Sequence, residues 1–190
     1  TLTPAYPRST QPTDKAAAAF AEDFKNRSFL DPAVKGEFPE TLVKVLQEDG
    51  VLWQATPEEL SVIQRNTVDF LGVNYYQPFR AKARELPFDA AQGWLPEKHF
   101  AVYEMPGRRM NPYRGWEIYP QGIVECCQKL HDILPDLPIY ITENGTADNR
   151  DAFRRLYLYD HLKALCDSGL PITRYYHWCF VDNWEWLEGF

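Results

Sequence analysis

Several things are missing from this chain, and each absence excludes a class of function. No apolar run approaches the ~20 residues a membrane helix needs, and no signal-peptide pattern opens the sequence. Basic residues are not in excess: 20 Lys and Arg stand against 27 Asp and Glu, for a formal net charge of -7. That balance argues against nucleic acid and anionic membrane surfaces as partners. Cysteine is scarce. Cys126 and Cys127 are adjacent, Cys166 and Cys179 stand apart, no pair has CxxC spacing, and all lie in apolar segments. They read as reduced core residues of a cytoplasmic protein, not as disulfides or metal ligands. The histidines, His99, His131, His161 and His177, are scattered without ligand-like pairing, so no metal site is expected. His131 and His161 fall in helical stretches, where ordinary polar contacts are their expected use. Gly-rich phosphate loops, a GxSxG elbow, fixed-period repeats and low-complexity tracts are all absent, and no cofactor is expected. There is no initiator Met before Thr1-Leu2-Thr3-Pro4-Ala5-Tyr6-Pro7, a stretch that reads as the tail of a strand begun earlier, so the chain reads as a piece of a longer one.

What is present is apolar and aromatic. Of 190 residues 45% are hydrophobic and 15% aromatic, with six Trp and eleven Tyr. That is enough to bury a real core. Concentrated aromatics can mean a large core alone, but they also build platforms on which sugar rings stack. The stretch that organises the rest is Leu137-Pro138-Ile139-Tyr140-Ile141-Thr142-Glu143-Asn144-Gly145. A short β-branched and aromatic run reads as a buried parallel strand. It stops abruptly at a carboxylate, at the strand end where α/β folds place chemistry. The plainer alternative makes Glu143 a surface residue opening a turn with Asn144-Gly145.

Taken in order, Thr13-Asp14 is expected to cap a helix over Lys15–Asn26. Turns are expected at Asp31-Pro32 and Gly36–Pro39. A helix follows over Pro39–Glu48, closed by Asp49-Gly50. Thr56-Pro57-Glu58-Glu59 is a helix N-terminus, with a Thr cap, Pro first and two acids at the positive end of the dipole. Asp69–Tyr76 (DFLGVNYY) is a strand that delivers Asn74 and Tyr76 on one side of its carboxyl end. Residues 77–115 are irregular and long enough to be functional or to carry small elements of their own. A helix from Tyr119 to Leu134 comes before the strand at 138–142. A helix over Asp148–Asp167 follows, with Phe153, Leu156, Tyr157, Leu162 and Leu165 at helical spacing, and Arg174–Phe180 is the last strand. Strands separated by helices imply right-handed crossovers, a parallel sheet and no internal domain boundary.

Polar and aromatic residues gather after the strands. Glu143 and Glu185 are the candidate carboxylates, with Asp182 and Glu188 nearby. Tyr76, Asn74 and Asn144 offer a phenol and two amides, and Trp178, Trp184 and Trp186 offer indoles. Acids and amides orient sugar hydroxyls while indole stacks on the ring's C–H face, so a carbohydrate ligand fits. Cleaving a glycoside takes two carboxyl groups, one as acid/base and one as nucleophile or base.

The stretches PAYPRS, FLDPAVKGEFP, DFLGVNYY, RGWEIYPQGI, IYITENG, YLYDHLKAL and HWCFVDNWEWLEGF occur in this order over nearly the whole chain. Together they resemble the carboxyl-terminal half of a family 1 glycoside hydrolase, the β-glucosidase and 6-phospho-β-glucosidase family of retaining TIM-barrel enzymes. The resemblance implies an α/β fold, a partial (β/α)8 barrel from the end of strand five to strand eight, forming part of one glycosidase domain. It implies that Glu143 is the nucleophile and that Tyr76 hydrogen-bonds and orients it, with Asn74 alongside. Trp178 would be the platform under the glycone, Glu185 would hold its distal hydroxyls, Trp186 would donate to a neighbouring hydroxyl, and Trp116 would line the aglycone side. The implied partner is a β-glycoside or oligosaccharide.

The same resemblance shows what these residues lack. The family's acid/base Glu belongs to a TxNEP motif, which does not occur here. The Gln after strand one and the His after strand three are missing as well. General acid catalysis contributes roughly 10²–10⁴-fold, so residues 1–190 alone are expected to be inactive. Glu185 favours a neutral β-glucoside or β-galactoside, because a carboxylate there repels a 6-phosphate. Against that, PAYPRS and MNPYRGWEIYP resemble the phospho-glucosidase branch. The non-catalytic alternatives are a half-barrel sugar-binding or scaffold protein, or one piece of a split enzyme. Open sheet edges in a half-barrel imply self-association.

Overall fold

The computed structural model describes residues 1–65, 68–91 and 95–189, the side chains of Leu95 and Glu188 excepted. In chain order its first elements are strand β1 (Ala5–Pro7), helix α1 (Pro12–Glu22), a π-helical turn (Asp23–Arg27), α2 (Ser28–Lys35), α3 (Glu40–Glu48) and α4 (Pro57–Gln64). Then come β2 (Leu71–Asn74), β3 (Phe79–Lys82), a 3-10 turn (Leu95–Lys98), β4 (Ala101–Val102) and α5 (Pro120–Ile133). The last are β5 (Ile139–Asn144), α6 (Arg154–Ser168), β6 (Ile172–His177) and a 3-10 turn (Trp186–Glu188). The chain divides into two compact units, one of Phe70–Gln77 and Arg109–Phe190 with Thr1, the other of Leu2–Asp69 and Pro78–Arg108.

The first unit holds the organising stretch. Its sheet has the order β2-β5-β6, and both pairings are parallel, as strands joined through helices require. Leu71 lies opposite Ile139 and Val73 opposite Ile141. Leu71, Val73, Ile139 and Ile141 are buried. On α5, Ile123, Cys126, Cys127 and Leu130 are buried too. Their i, i+3, i+4, i+7 spacing makes one apolar stripe on a helix that opens with Pro120. The Leu, Ile and Val side chains among these each contribute roughly 1.5–3 kcal/mol on full burial. Gly122 is needed on that helix: a Cβ there would lie 2.2 Å from Tyr75 Oη, and Tyr75 is fully buried with its hydroxyl donating to the Tyr119 carbonyl at 2.6 Å.

The second unit has the sheet order β1-β3-β4, with β1 parallel and β4 antiparallel to β3. Ala17, Ala18 and Ala21 of α1 form a small core with Ala81 and Phe100. The opening strand tail is therefore a strand, and it pairs with β3 from the long irregular segment. That segment carries β3, the 3-10 turn and β4. α3 and α4 form where expected, and Thr56 with Glu59 closes a capping box on α4.

Other expectations need correcting. Thr13-Asp14 does not cap α1; the helix starts at Pro12. Asp14 is buried in its first turn, accepting from Arg8 Nε at 3.0 Å, Ser9 Oγ at 2.7 Å and the Ala83 N–H at 2.9 Å. Partners outside the helix, Ala83 among them from 69 residues along the chain, outcompete the local cap. Asp31-Pro32 is no turn but lies inside α2. Arg27 bridges Asp23 at 2.7 Å and Asp31 at 2.6 Å, one helical turn to either side, and ties the helix together around its proline. α6 starts at Arg154, six residues later than Asp148. Asp148 instead accepts the N–H groups of Phe153 at 2.7 Å and Arg154 at 2.9 Å, capping the helix from the loop. The buried face of α6 is Tyr157, His161 and Leu165, whereas Leu156 and Leu162 are exposed. β6 begins at Ile172 and ends at His177, ahead of Phe180. Cys126 and Cys127 are core residues, but Cys166 is exposed and Cys179 half-buried. Among the described residues, no helix is long and apolar enough to cross a membrane.

Candidate active site

β5 is the middle strand, and its burial explains where its carboxylate goes. Ile139 and Ile141 point into the core, and the strand ends at Glu143 and Asn144. Asn144 is fully buried. Its Nδ2 donates to the Tyr75 carbonyl at 2.7 Å and to Tyr157 Oη at 3.0 Å, and its Oδ1 accepts from Tyr175 Oη at 2.7 Å. An amide so committed holds β2, β5, β6 and α6 together and is not available to a ligand, which corrects its place among the candidate sugar contacts. Nor is Asn144-Gly145 a surface turn, since both residues are buried. His177 Nδ1 and the Trp178 N–H approach the Asn144 carbonyl, each at 3.0 Å.

With Asn144 anchored, its neighbour Glu143 is aimed the other way and is half-buried. The Tyr75 N–H donates to the Glu143 carbonyl at 2.9 Å, locking the end of β2 to the end of β5. One residue on, Tyr76 Oη donates to Glu143 Oε2 at 2.6 Å. That is the length of a phenol bound to a carboxylate by a charge-assisted hydrogen bond. Burial, then this hydrogen bond, raise the Tyr76 pKa well above the ordinary phenol value, so the hydroxyl stays a donor throughout the ordinary pH range. The Tyr76 ring lies 5.6 Å from the ring of Trp116, and the Arg114 guanidinium sits 5.0 Å from a Trp116 ring centre. Asn74 is directly beside this pair, its Oδ1 accepting from Thr142 Oγ1 at 2.6 Å.

A second cluster follows β6. Trp178 comes directly after the strand, and its Nε1 donates to Glu185 Oε1 at 3.0 Å, leaving the ring 40% exposed. Trp184 is 63% and Trp186 83% exposed, and Asp182 is exposed as well. The structure thus brings Glu143, Tyr76 and Trp116 together and pairs Trp178 with Glu185, while Trp186 stands in the open. The Glu188 side chain lies outside the described residues.

Two further residues shape this region: Gly145, which the sequence presents only as part of a turn, and Asn111, which it does not single out. Gly145 has no room for a side chain, because a Cβ would fall 1.8 Å from the Trp178 carbonyl oxygen. Asn111 is buried beneath the Trp116 turn. Its only sequence signal is an Asn-Pro pair followed by Gly115, the composition of a turn. Of the histidines, His99 Nε2 meets Asp49 at 3.1 Å, and His161 Nδ1 meets the Tyr157 carbonyl at 2.8 Å. Burial lowers His161 to about 4, so it is neutral near pH 7. Among the described residues, no three His, Cys, Asp or Glu side chains are grouped as a metal site.

Comparison with known proteins then decides the family. The family model for glycosyl hydrolase family 1 matches residues 1–190. The chain belongs to glycosyl hydrolase family 1. It is 41% identical to the 6-phospho-beta-glucosidase GmuD of Bacillus subtilis, with 100% of this chain and 44% of that protein aligned. It is 33% identical to beta-glucosidase A of Thermotoga maritima over 97% of this chain and 41% of the relative. Among solved structures it matches the AHE enzyme of Alicyclobacillus herbarius with a TM-score of 0.84 at 30% identity, over 99% of this chain and 42% of the other. The family 1 b-glucosidase of Thermotoga maritima matches with a TM-score of 0.79, also at 30% identity, over 98% of this chain and 42% of the other. This family 1 chain therefore spans less than half the length of the curated relatives it matches.

Proposed function

We propose that this chain carries the nucleophile of a retaining β-glycosidase and corresponds to the part of a (β/α)8 barrel from the end of strand five to strand eight. The observation that carries the reading is the Tyr76–Glu143 hydrogen bond at the carboxyl ends of adjacent parallel strands, in a chain of family 1. Tyr76 holds Oε2 and so orients the carboxylate. Oε1 then attacks the anomeric carbon, the bond to the aglycone oxygen breaks, and a glycosyl ester forms on Glu143. The leaving oxygen takes its proton from a carboxylic acid outside these 190 residues, positioned about 5–5.5 Å from Glu143 as a retaining mechanism requires. The same group then deprotonates the water that releases the sugar. By themselves, residues 1–190 are inactive on this reading.

Asn74, Trp178, Glu185 and Trp186 are assigned to the sugar and Trp116 to the aglycone. The Trp178–Glu185 pair supports a neutral sugar, because the bond aligns a carboxylate beside an open indole face, and a carboxylate repels a phosphate dianion. The 41% identity to a 6-phospho-beta-glucosidase favours the second reading, a 6-phosphorylated glycone.

The test uses the complete protein. A 2-deoxy-2-fluoro-β-glucoside with a good leaving group should inactivate it and leave one sugar on the peptide containing Glu143, read by mass spectrometry. A label on a different residue would sink the assignment. The ratio of kcat/KM for a β-glucoside over its 6-phosphate decides the glycone, with the unphosphorylated compound expected to be faster.

A further inference from the structure

Asn111 is buried to 1% exposure, lies outside every strand and helix, and makes more hydrogen bonds than a turn needs. Its Oδ1 accepts from the N–H groups of Tyr113 at 2.8 Å and Arg114 at 3.2 Å. Its own N–H donates to the Trp116 carbonyl at 2.7 Å, and its carbonyl accepts from the Gly115 N–H at 2.9 Å. These bonds close the turn that presents Trp116. The Nδ2 group does something different. It donates to Thr146 Oγ1 at 2.8 Å and to the Ala147 carbonyl at 3.0 Å, in the segment just after Glu143, Asn144 and Gly145. Trp116 packs on Tyr76, and Tyr76 donates to Glu143. A closed ring of contacts results: Glu143, Tyr76, Trp116, Asn111, Thr146, and back along the chain to Glu143.

We infer that Asn111 is a positioning residue for the leaving-group side of the site, holding the Trp116 wall in register with Glu143. The inference rests on the glycosidase reading. Asn111 touches no reacting atom and acts through Trp116. The sheet order puts Tyr76, and Trp116 with it, on the β2 side of Glu143, whereas Trp178 and Glu185 follow β6 on the other side. Moving the Trp116 turn should therefore alter contact with one side of the bond being cleaved and spare the other. Without the Asn111 side chain, the N–H groups of Tyr113 and Arg114 and the buried Thr146 hydroxyl lose their partner, and the lost bonds are costly enough to displace the turn.

The experiment compares an aryl β-glycoside with the matching β-glycosyl fluoride, whose leaving group has no ring for Trp116 to meet. The complete protein and its Asn111→Ala variant are assayed on both, with whichever glycone the protein accepts. The ratio of the two kcat/KM values does not depend on the fraction of protein folded. It should fall between about tenfold and a hundredfold in Asn111→Ala, the scale of a misplaced binding group, mostly through KM for the aryl compound. Trp116→Ala should lower the ratio similarly, and adding Asn111→Ala to it should change nothing more, because residues acting as one unit are not additive. Where Asn111→Ala yields no folded protein, Thr146→Val removes one acceptor of Nδ2 and should lower the same ratio. An unchanged ratio, or additive effects with Trp116→Ala, overturns the inference while the glycosidase reading stands. Turnover of neither compound by the unaltered protein overturns both.

Discussion

Gly145 and Trp178 approach so closely that a Cβ on the glycine would lie 1.8 Å from the tryptophan's carbonyl oxygen. The Trp178 N–H meanwhile donates to the Asn144 carbonyl at 3.0 Å. The end of β6 is thus seated directly on the chain that follows Glu143, and the glycine is what lets it sit there. Gly145→Ala is expected to push Trp178 away and to lower stability by about 1–3 kcal/mol, the usual cost of overpacking. Urea unfolding of the complete protein measures the loss, and an unaltered midpoint would show that the two segments separate freely.

Tyr76→Phe keeps the ring against Trp116 and removes only the hydroxyl bound to Glu143. A hydrogen bond to a charged group contributes about 1.5–3 kcal/mol, so kcat/KM should drop by roughly one to two orders of magnitude with little change in melting temperature. A variant with full activity would remove Tyr76 from the site.

Asp14 makes a pH prediction in the other unit. Hydrogen bonds from Arg8, the Ala83 N–H and Ser9 lower its pKa to about 2 in the folded chain. An unfolded Asp titrates near ~3.9. Above that value both states are ionised and the contribution is fully present; as pH falls toward about 2 the unfolded chain takes up the proton first, and the contribution is lost. Asp14→Asn should therefore be less stable than the unaltered protein at neutral pH, with the gap closing between about pH 4 and 2. Denaturant unfolding at stepped pH reads the gap, and a constant difference would contradict the assignment.

The cysteines should label in order of exposure. Cys166 is exposed, while Cys126 and Cys127 are buried and burial pushes the Cys127 thiol up to about 12. A maleimide should modify Cys166 rapidly in the native protein and reach Cys126 and Cys127 only on unfolding. Peptide mapping after a timed pulse gives the order.

Much of this arrangement is legible in the sequence where local rules act alone. The run Ile139–Thr142 is a strand because β-branched and aromatic residues fill a buried pleat, and α4 begins at its Thr-Pro-Glu-Glu signature because the cap and its bonds lie within four residues. Local rules fail where a distant partner wins. Asp14 looks like a cap and is a buried anchor for Arg8 and Ala83. Pro32 is a local exception: it looks like a turn and sits inside a helix that the i, i+4 pair Arg27–Asp31 bridges. Asn144 looks like a ligand contact and is consumed by three tyrosines, of which Tyr75, Tyr157 and Tyr175 come from as many different segments.

The sequence by itself determined the family, through motifs recurring in order along the chain, and with it the candidate residues Glu143, Tyr76, Trp116, Trp178 and Glu185. It also determined the alternation of strands and helices, because hydrophobic period is a property of near neighbours. The bond from Tyr76 to Glu143, across 67 residues of chain, is implied by those motifs and is present in the structure. Only the tertiary structure decided that Trp178 spends its indole N–H on Glu185, and that Asn111 ties the Trp116 turn to the segment beyond Glu143. Those pairings depend on strand register and on which buried polar group finds which partner. Both are set by the packing of the whole sheet, so no local stretch contains them.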